Sequence, residues 1–295
     1  MDYPVLYNEF SVCAESNQKY HFAIVKIRIA LLIAIAMLGA ISWGQFASLG
    51  IIPPLVIAGS LSVMLVLTVI FENRKYEKTW HLSRAVAETI KRESWLYLMK
   101  AKPYDQTDGE EAKKGFMTFL KAIIKKGSLP CPDPTHNHEG SQITEAMNKQ
   151  RGAEFEERRQ FYIQFRINDQ QTWYARKSKI NSVKESRMNL LMWGLLVFGV
   201  ALAFANVISN ALSFDLPING VGIATTTSAA VLSWIGARSY KELSQSYNIV
   251  AHELTLIEQT AKEVTTEDQL GQVVEEAEGV MSQEHNLWKI KHQIT

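Results

Sequence analysis

Residues 29–71 contain no Asp, Glu, Lys or Arg, and residues 188–237 contain only Asp215. A helix needs about 20 consecutive apolar residues to cross a hydrocarbon core of about 30 Å, so each block has room for two spans. The rest of the chain is strongly charged. The formal net charge of +1 therefore averages a basic middle with an acidic stretch over residues 253–284. Gly50 and the pair Pro53-Pro54 interrupt the first block, and prolines lack the N–H that a continuing helix needs. The predicted turn is 44–54, between a first span at 29–49 and a second at 55–71. Trp43 and Phe46 suit the water interface. In the second block Asp215, Pro217 and Gly220 break the run, giving a third span at 188–208 and a fourth at 221–237.

Lysines and arginines cluster at one set of ends. Lys19, Lys26 and Arg28 precede the first span, and Arg74, Lys75 and Lys78 follow the second. Arg176, Lys177, Lys179, Lys184 and Arg187 precede the third, and Arg238 and Lys241 follow the fourth. Neither connecting turn carries a basic residue. Excess positive charge stays on the cytoplasmic side, which predicts outward turns and cytoplasmic N- and C-termini. Asp2, Glu9 and Glu15 precede the first lysine, unlike the basic start of a cleavable signal, so the first span is expected to stay in the mature protein. Cys13 and Cys131, in a cytoplasmic setting, are expected to remain thiols. A soluble protein with four buried apolar helices is the competing reading, and the one-sided basic flanks argue against it.

Outside the spans the pattern is helical throughout. Phe116, Phe119, Leu120, Ile123 and Ile124 share one helix face, with Thr107-x-x-Glu110 as the expected capping box. Residues 133–140 form a proline- and glycine-containing loop. A charged, proline-free stretch over 141–187, with Gly152 as a break point, predicts a stalk helix leading into the third span. Val273, Ala277, Val280, Met281, Leu287 and Trp288 make a second amphipathic helix, preceded by Thr265-x-x-Asp268 as its cap. Arg74, Tyr76, Val86, Ala87 and Ile90 recur at identical spacing as Arg238, Tyr240, Val250, Ala251 and Leu254, which suggests a duplicated unit. The predicted fold is an all-α integral membrane protein of four transmembrane helices in two hairpins with extended cytoplasmic helices. Its expected domains are 1–140 and 141–295.

No phosphate-binding glycine loop, nucleophile elbow or zinc-protease helix is present, so no enzymatic activity and no cofactor are expected. Cys131, His136 and His138 are too few and too irregularly spaced for a closed zinc site, and a solvated loop is the preferred reading. The spans hold no ionisable residue of the kind that marks a proton relay or coupled pump. Thr225, Thr226, Thr227 and Ser228 run through the fourth span, with Ser60 and Ser62 in the second and Asn206 in the third. These polar groups either pack helices or line a pore, and four consecutive positions reach every side of a helix. Ala36, Gly39, Ala40 and Gly59 fit close helix packing. Lys26, Arg28, Arg74, Lys75, Arg187 and Arg238 read as membrane-flanking orientation signals beside lipid headgroups, with no nucleic acid required. Trp80, Trp95, Trp173 and Trp288 read as packing aromatics.

Several segments together resemble the SLATT families, bacterial two-transmembrane effector domains associated with SMODS nucleotide cyclases and SLOG nucleotide sensors. The first half supplies Tyr3-Pro4-Val5-Leu6-Tyr7, Gln18-Lys19-Tyr20, the run from Ser83 to Lys91, Trp95 and Lys102-Pro103-Tyr104. The second half supplies Arg166-Ile167-Asn168-Asp169-Gln170, Trp173-Tyr174, Lys177, Ser246-Tyr247, Ala251-His252-Glu253-Leu254, Glu284-His285 and Trp288. The chain thus resembles a tandem of two SLATT-type units. The resemblance implies a membrane effector of bacterial conflict systems in the inner membrane, forming homo-oligomeric pores when a nucleotide signal arrives. No cyclase or sensor domain is recognisable in the sequence, so the trigger is expected from a separate nucleotide-signalling partner. The alternatives are a non-conducting membrane scaffold that docks cytoplasmic partners, and a passive ion or solute channel unrelated to defence.

Overall fold

The computed structural model describes residues 2–41, 50–106, 108–125, 140–212 and 220–291, with 283–291 as backbone. All regular structure among them is helical: α1 (Val5–Ala40), α2 (Ile52–Arg74), α3 (Tyr76–Leu98), α4 (Gly109–Lys125), α5 (Glu145–Gly152), α6 (Phe155–Tyr162), α7 (Asp169–Ala211), α8 (Gly220–Arg238), α9 (Tyr240–Glu263) and α10 (Glu267–Lys291). A π-helical turn, Ile163–Asn168, joins α6 to α7. The chain divides into two compact units. One comprises Met1–Gln18, Tyr76–Lys179 and Ser244–Thr295, and the other Lys19–Lys75 and Ile180–Leu243.

The apolar unit holds the four expected spans as far as the described residues reach, positions 42–49 of the first span and 213–219 of the second turn lying outside them. Among the described residues, four helical stretches are long and apolar enough to cross a membrane, and the most apolar window of the α2 stretch contains no buried residue at all. Leu65, Leu190, Val197 and Phe204 are all exposed. Water around that much hydrocarbon costs roughly 25 cal/mol per Å², whereas lipid solvates it freely. A soluble core is excluded by this exposure, because such a core would cover these side chains with protein.

Two details of the first hairpin differ from the sequence expectation. Pro53 and Pro54 do not belong to the turn; they lie in the first turn of α2, where an N–H has no helical partner anyway and proline's fixed φ suits the helix. Gly39 and Gly59 mark no close approach, since a Cβ added at either meets nothing within 4 Å. The close approach lies in the second hairpin. A Cβ on Gly199 would stand 3.2 Å from Ala224 Cβ, and one on Gly220 would meet Leu202 Cδ1 at 2.8 Å. Gly220, Ala224 and Ser228 fall every fourth residue on α8, the small-residue spacing that lets helix backbones meet. Gly199→Leu is expected to cost about 1–3 kcal/mol by overpacking this seam, read as a lowered thermal midpoint of the detergent-solubilised chain.

The duplication seen in sequence recurs in the backbone. The residues that follow α2 and α8, Lys75 and Ser239, are both in the left-handed conformation with φ of 48° and 46°. Each is followed at once by a tyrosine that opens α3 or α9, and Ile90 and Leu254 are completely buried at matching positions.

The polar unit is a helical bundle around Phe10, Trp95, Tyr97, Phe116, Met147, Tyr162 and Ile167, all with under 2 % exposure. α10 packs along α3, and α4 and α5 also lie against α3. α5 ends at Gly152, as the sequence suggested, with Ala153 as its C-cap. Thr107 lies outside the described residues; Asp108 Oδ1 accepts the Glu110 N–H at 2.9 Å at the start of α4. α10 is capped one residue later than expected. Thr266 Oγ1 accepts from the Gln269 N–H at 3.4 Å, and Gln269 Oε1 reaches back past the cap to accept from the Thr265 N–H at 3.0 Å, with the glutamine at the third helical position. Cys13 is disulfide-bonded, which corrects the expected thiol; that expectation rested on compartment and took no account of where α1 places the side chain. Cys131, His136 and His138 lie outside the described residues.

Candidate functional site

α8 carries the polar run of the fourth span. Thr225 is exposed, Thr226 and Thr227 are half-buried, and Ser228 is buried on the face that also holds Ala224. Thr225 Oγ1 donates to the Val221 carbonyl at 3.0 Å, Thr227 to Ile223 at 2.8 Å and Ser228 to Ala224 at 2.8 Å. These bonds satisfy the hydroxyls inside their own helix, which is how such residues enter a membrane at low cost. Ser62 does the same on α2, donating to the Ala58 carbonyl at 2.9 Å, while Ser60 and Asn206 are half-buried. The structure thus buries Ser228 one turn beyond Ala224, which meets α7 at Gly199, and leaves Thr225 exposed.

The six basic flanking residues fall into two groups. Arg74, Lys75 and Arg187 are exposed. Lys26, also exposed, and the half-buried Arg28 and Arg238 lie over aromatic rings of the apolar unit. Lys26 Nζ is 5.9 Å from the Trp234 ring centre, and Arg28 Cζ is 5.6 Å from that of Phe71. Arg238 Cζ is 4.2 Å from Phe22 and 5.3 Å from Trp234, and its Nε donates to Tyr240 Oη at 3.4 Å. Sequence reading named the cations but not Trp234, because nothing in a linear pattern shows that α1 and α8 share a ring.

The polar bundle holds a buried charge network that the sequence did not reveal. Arg166 Nε and one terminal nitrogen donate to the two Glu278 oxygens at 2.7 Å each, and Tyr162 Oη donates to Glu278 Oε1 at 3.2 Å. Burial pulls the Arg166 pKa down, but attraction and hydrogen bonding from Glu278 outweigh it, so the guanidinium is held charged. The Trp95 ring lies 5.6 Å from Arg166 Cζ, and Trp95 Nε1 donates to Tyr3 Oη at 3.0 Å. A second buried arginine, Arg151, donates to the carbonyls of Tyr97 and Tyr104. Tyr104 Oη in turn donates to Glu93 Oε2 at 2.9 Å. On α6, Arg158 pairs with Glu267 in the first turn of α10, and Arg159 donates to the Val264 carbonyl at 2.6 Å just past the end of α9. An open cleft of about 790 Å³ is lined by Lys100, Lys102 and Arg151 together with Glu267, Asp268 and Glu275, a balance that gives it no field of one sign.

Burial raises the Tyr3 phenol to about 12, above its ordinary 10.0, against the smaller opposing pull of Arg166. The folded chain therefore keeps a proton that the unfolded chain loses above pH 10. Stability is expected to fall as pH rises from about 10 to 12, and Tyr3→Phe should flatten that fall; denaturant midpoints across this range would check it. No group of three or more potential metal ligands occurs among the described residues.

The model described as SMODS and SLOG-associating 2TM effector domain 3 matches residues 4–159, and that of domain 1 matches residues 162–288. The chain belongs to the SLATT family. It is a tandem of two SLATT units, and the pair of membrane hairpins follows from one two-transmembrane unit being present twice. Its helices make it a membrane protein, and the family description makes it a membrane effector linked to SMODS and SLOG systems. That description names no catalytic activity. Nothing among curated proteins or solved structures matches the chain. Many residues that carry the resemblance, including Trp95, Tyr104, Arg166, Ile167 and Leu254, are buried in the polar bundle. They hold that bundle together.

Proposed function

We propose that the chain is a pore-forming effector of a bacterial conflict system, set in the inner membrane with both termini cytoplasmic. In this reading several copies assemble, and a separate nucleotide-signalling protein triggers opening through the polar bundle. The observation that carries it is a set of uncharged, lipid-exposed spans with a polar run on α8, in a chain of the SLATT effector family. Four spans enclose no wide lumen alone, so the ring closes through homo-oligomers, with Thr225 to Ser228 of α8 and Ser60, Ser62 and Asn206 on its path. The tandem arrangement supports a division into an N-terminal unit near 1–140 and a C-terminal unit near 141–295.

A second reading, a non-conducting scaffold, is favoured by one observation: Thr225, Thr227 and Ser228 spend their hydroxyl donors on their own helix and need no water. Dye or ion efflux from liposomes carrying the full chain separates the two. The pore reading expects efflux that collapses when residues 225–228 are all changed to leucine. Equal efflux from that variant would remove the lining assignment, and none from the unaltered chain would leave the scaffold.

A further inference from the structure

The positive-inside rule explains why basic residues flank the spans, but not why cations from two different helices meet on one ring. Lys26 leads into the first apolar run on α1, and Arg238 closes the fourth on α8. Both lie over the Trp234 indole, at 5.9 and 5.3 Å from its centre, and Phe22 adds a face 4.2 Å from the Arg238 guanidinium. The two charges are therefore at most about 11 Å apart, the sum of their distances to the shared ring. Among the described residues no carboxylate forms an ion pair with Lys26, Arg28 or Arg238. Two like charges on one ring with no paired acid repel each other, and an anion within reach of both lessens that repulsion.

Ring contact orients each side chain, and although Arg238 Nε donates to Tyr240 Oη, its two terminal nitrogens keep their donors for a ligand. A guanidinium edge matches two oxygens of a phosphate, and a lysine adds a point charge. The position also selects the ligand. Tryptophan settles at the level of lipid headgroups, so the cations beside Trp234 stand in the plane of phospholipid phosphates.

We propose that Lys26 and Arg238, converging on Trp234 with Phe22 behind, form a binding site for a phosphate-bearing anion, presented in the membrane by the headgroup of an anionic phospholipid. The site rests only on the chain being embedded in a bilayer, and it stands whether or not the chain conducts.

The test uses the full chain in phosphatidylcholine nanodiscs. Tryptophan emission is followed as phosphatidylglycerol replaces part of the lipid, and in a parallel arm as inorganic phosphate is added to the surrounding buffer. The Trp234→Phe variant identifies the part of the signal that belongs to this ring. A saturable change with phosphatidylglycerol, absent with inorganic phosphate, is the expected result; saturation by inorganic phosphate alone would overturn the headgroup assignment. The combined Lys26→Gln and Arg238→Gln variant should need roughly twenty-five-fold more anionic lipid, from about fivefold for each basic side chain near a charged surface. Removing equal charge elsewhere, with Lys184→Gln and Arg187→Gln, should leave the midpoint in place. The exposed Lys26→Gln change alone guards against misfolding and should shift the midpoint about fivefold. No saturation, or the same shift from both double variants, would overturn the proposal in favour of diffuse surface charge.

Discussion

Glu278→Ala is expected to lower the stability of the polar bundle by about 3–5 kcal/mol, the cost of removing one partner from a buried ion pair. Glu278 is completely buried and accepts three hydrogen bonds, two from Arg166 and one from Tyr162. Without it a guanidinium with 5 % side-chain exposure keeps its charge and loses both acceptors. The favourable worth of the pair is a separate quantity, because two desolvated charges repay little more than their own burial. Replacing both, with Arg166→Met and Glu278→Leu together, should therefore cost less than either single change. Urea unfolding of the detergent-solubilised chain, followed through tryptophan emission, would measure all three. A single variant as stable as the unaltered chain would show that water reaches the pair.

The apolar runs made the spans legible because the physics behind them is local. Lipid selects a continuous stretch of uncharged residues, and the stretch is visible wherever it falls in the chain. Features that depend on a partner helix are not local in this way. Pro53-Pro54 marks a helix boundary, but its direction depends on which side has unpaired N–H groups, and the pair opens α2 instead of ending α1. Glycine at Gly39 or Gly59 permits close approach without causing it, and the partner helix came to Gly199 and Gly220. The spacing of Gly220, Ala224 and Ser228 was present in the sequence and would have located the seam. Arg166 and Glu278 had no such signal. They are separated by 112 positions, and Glu278 sits in an acidic stretch where nothing distinguishes a buried carboxylate from its solvated neighbours. Periodicity reports which side chains share a face of one helix; it does not report which two helices meet. The polar run at 225–228 was legible as a polar run, and its split between a buried and an exposed side emerged only from the packed helices.

Trp95→Ala is expected to cost about 3–5 kcal/mol, and to destabilise both family units at once. Trp95 lies on α3, within the first match, and has 1 % exposure. Its ring meets Tyr162 at 5.6 Å edge-on and the Arg166 guanidinium at 5.6 Å, both from the second match. α3 also packs along α10, which carries Glu278. The two SLATT units therefore share one core in the polar bundle, and a cavity at Trp95 removes contacts from each. Trp95→Phe keeps most of the buried ring but strips Tyr3 Oη of its donor, so about 1–2 kcal/mol is expected there. Amide exchange would separate a shared core from two independent ones. In Trp95→Ala, protection along α10 should fall together with protection along α3, although α10 begins more than 160 residues further along the chain. Loss confined to α3, with α10 protected as before, would mean that each unit holds its own fold and that the contact at Trp95 joins two finished structures.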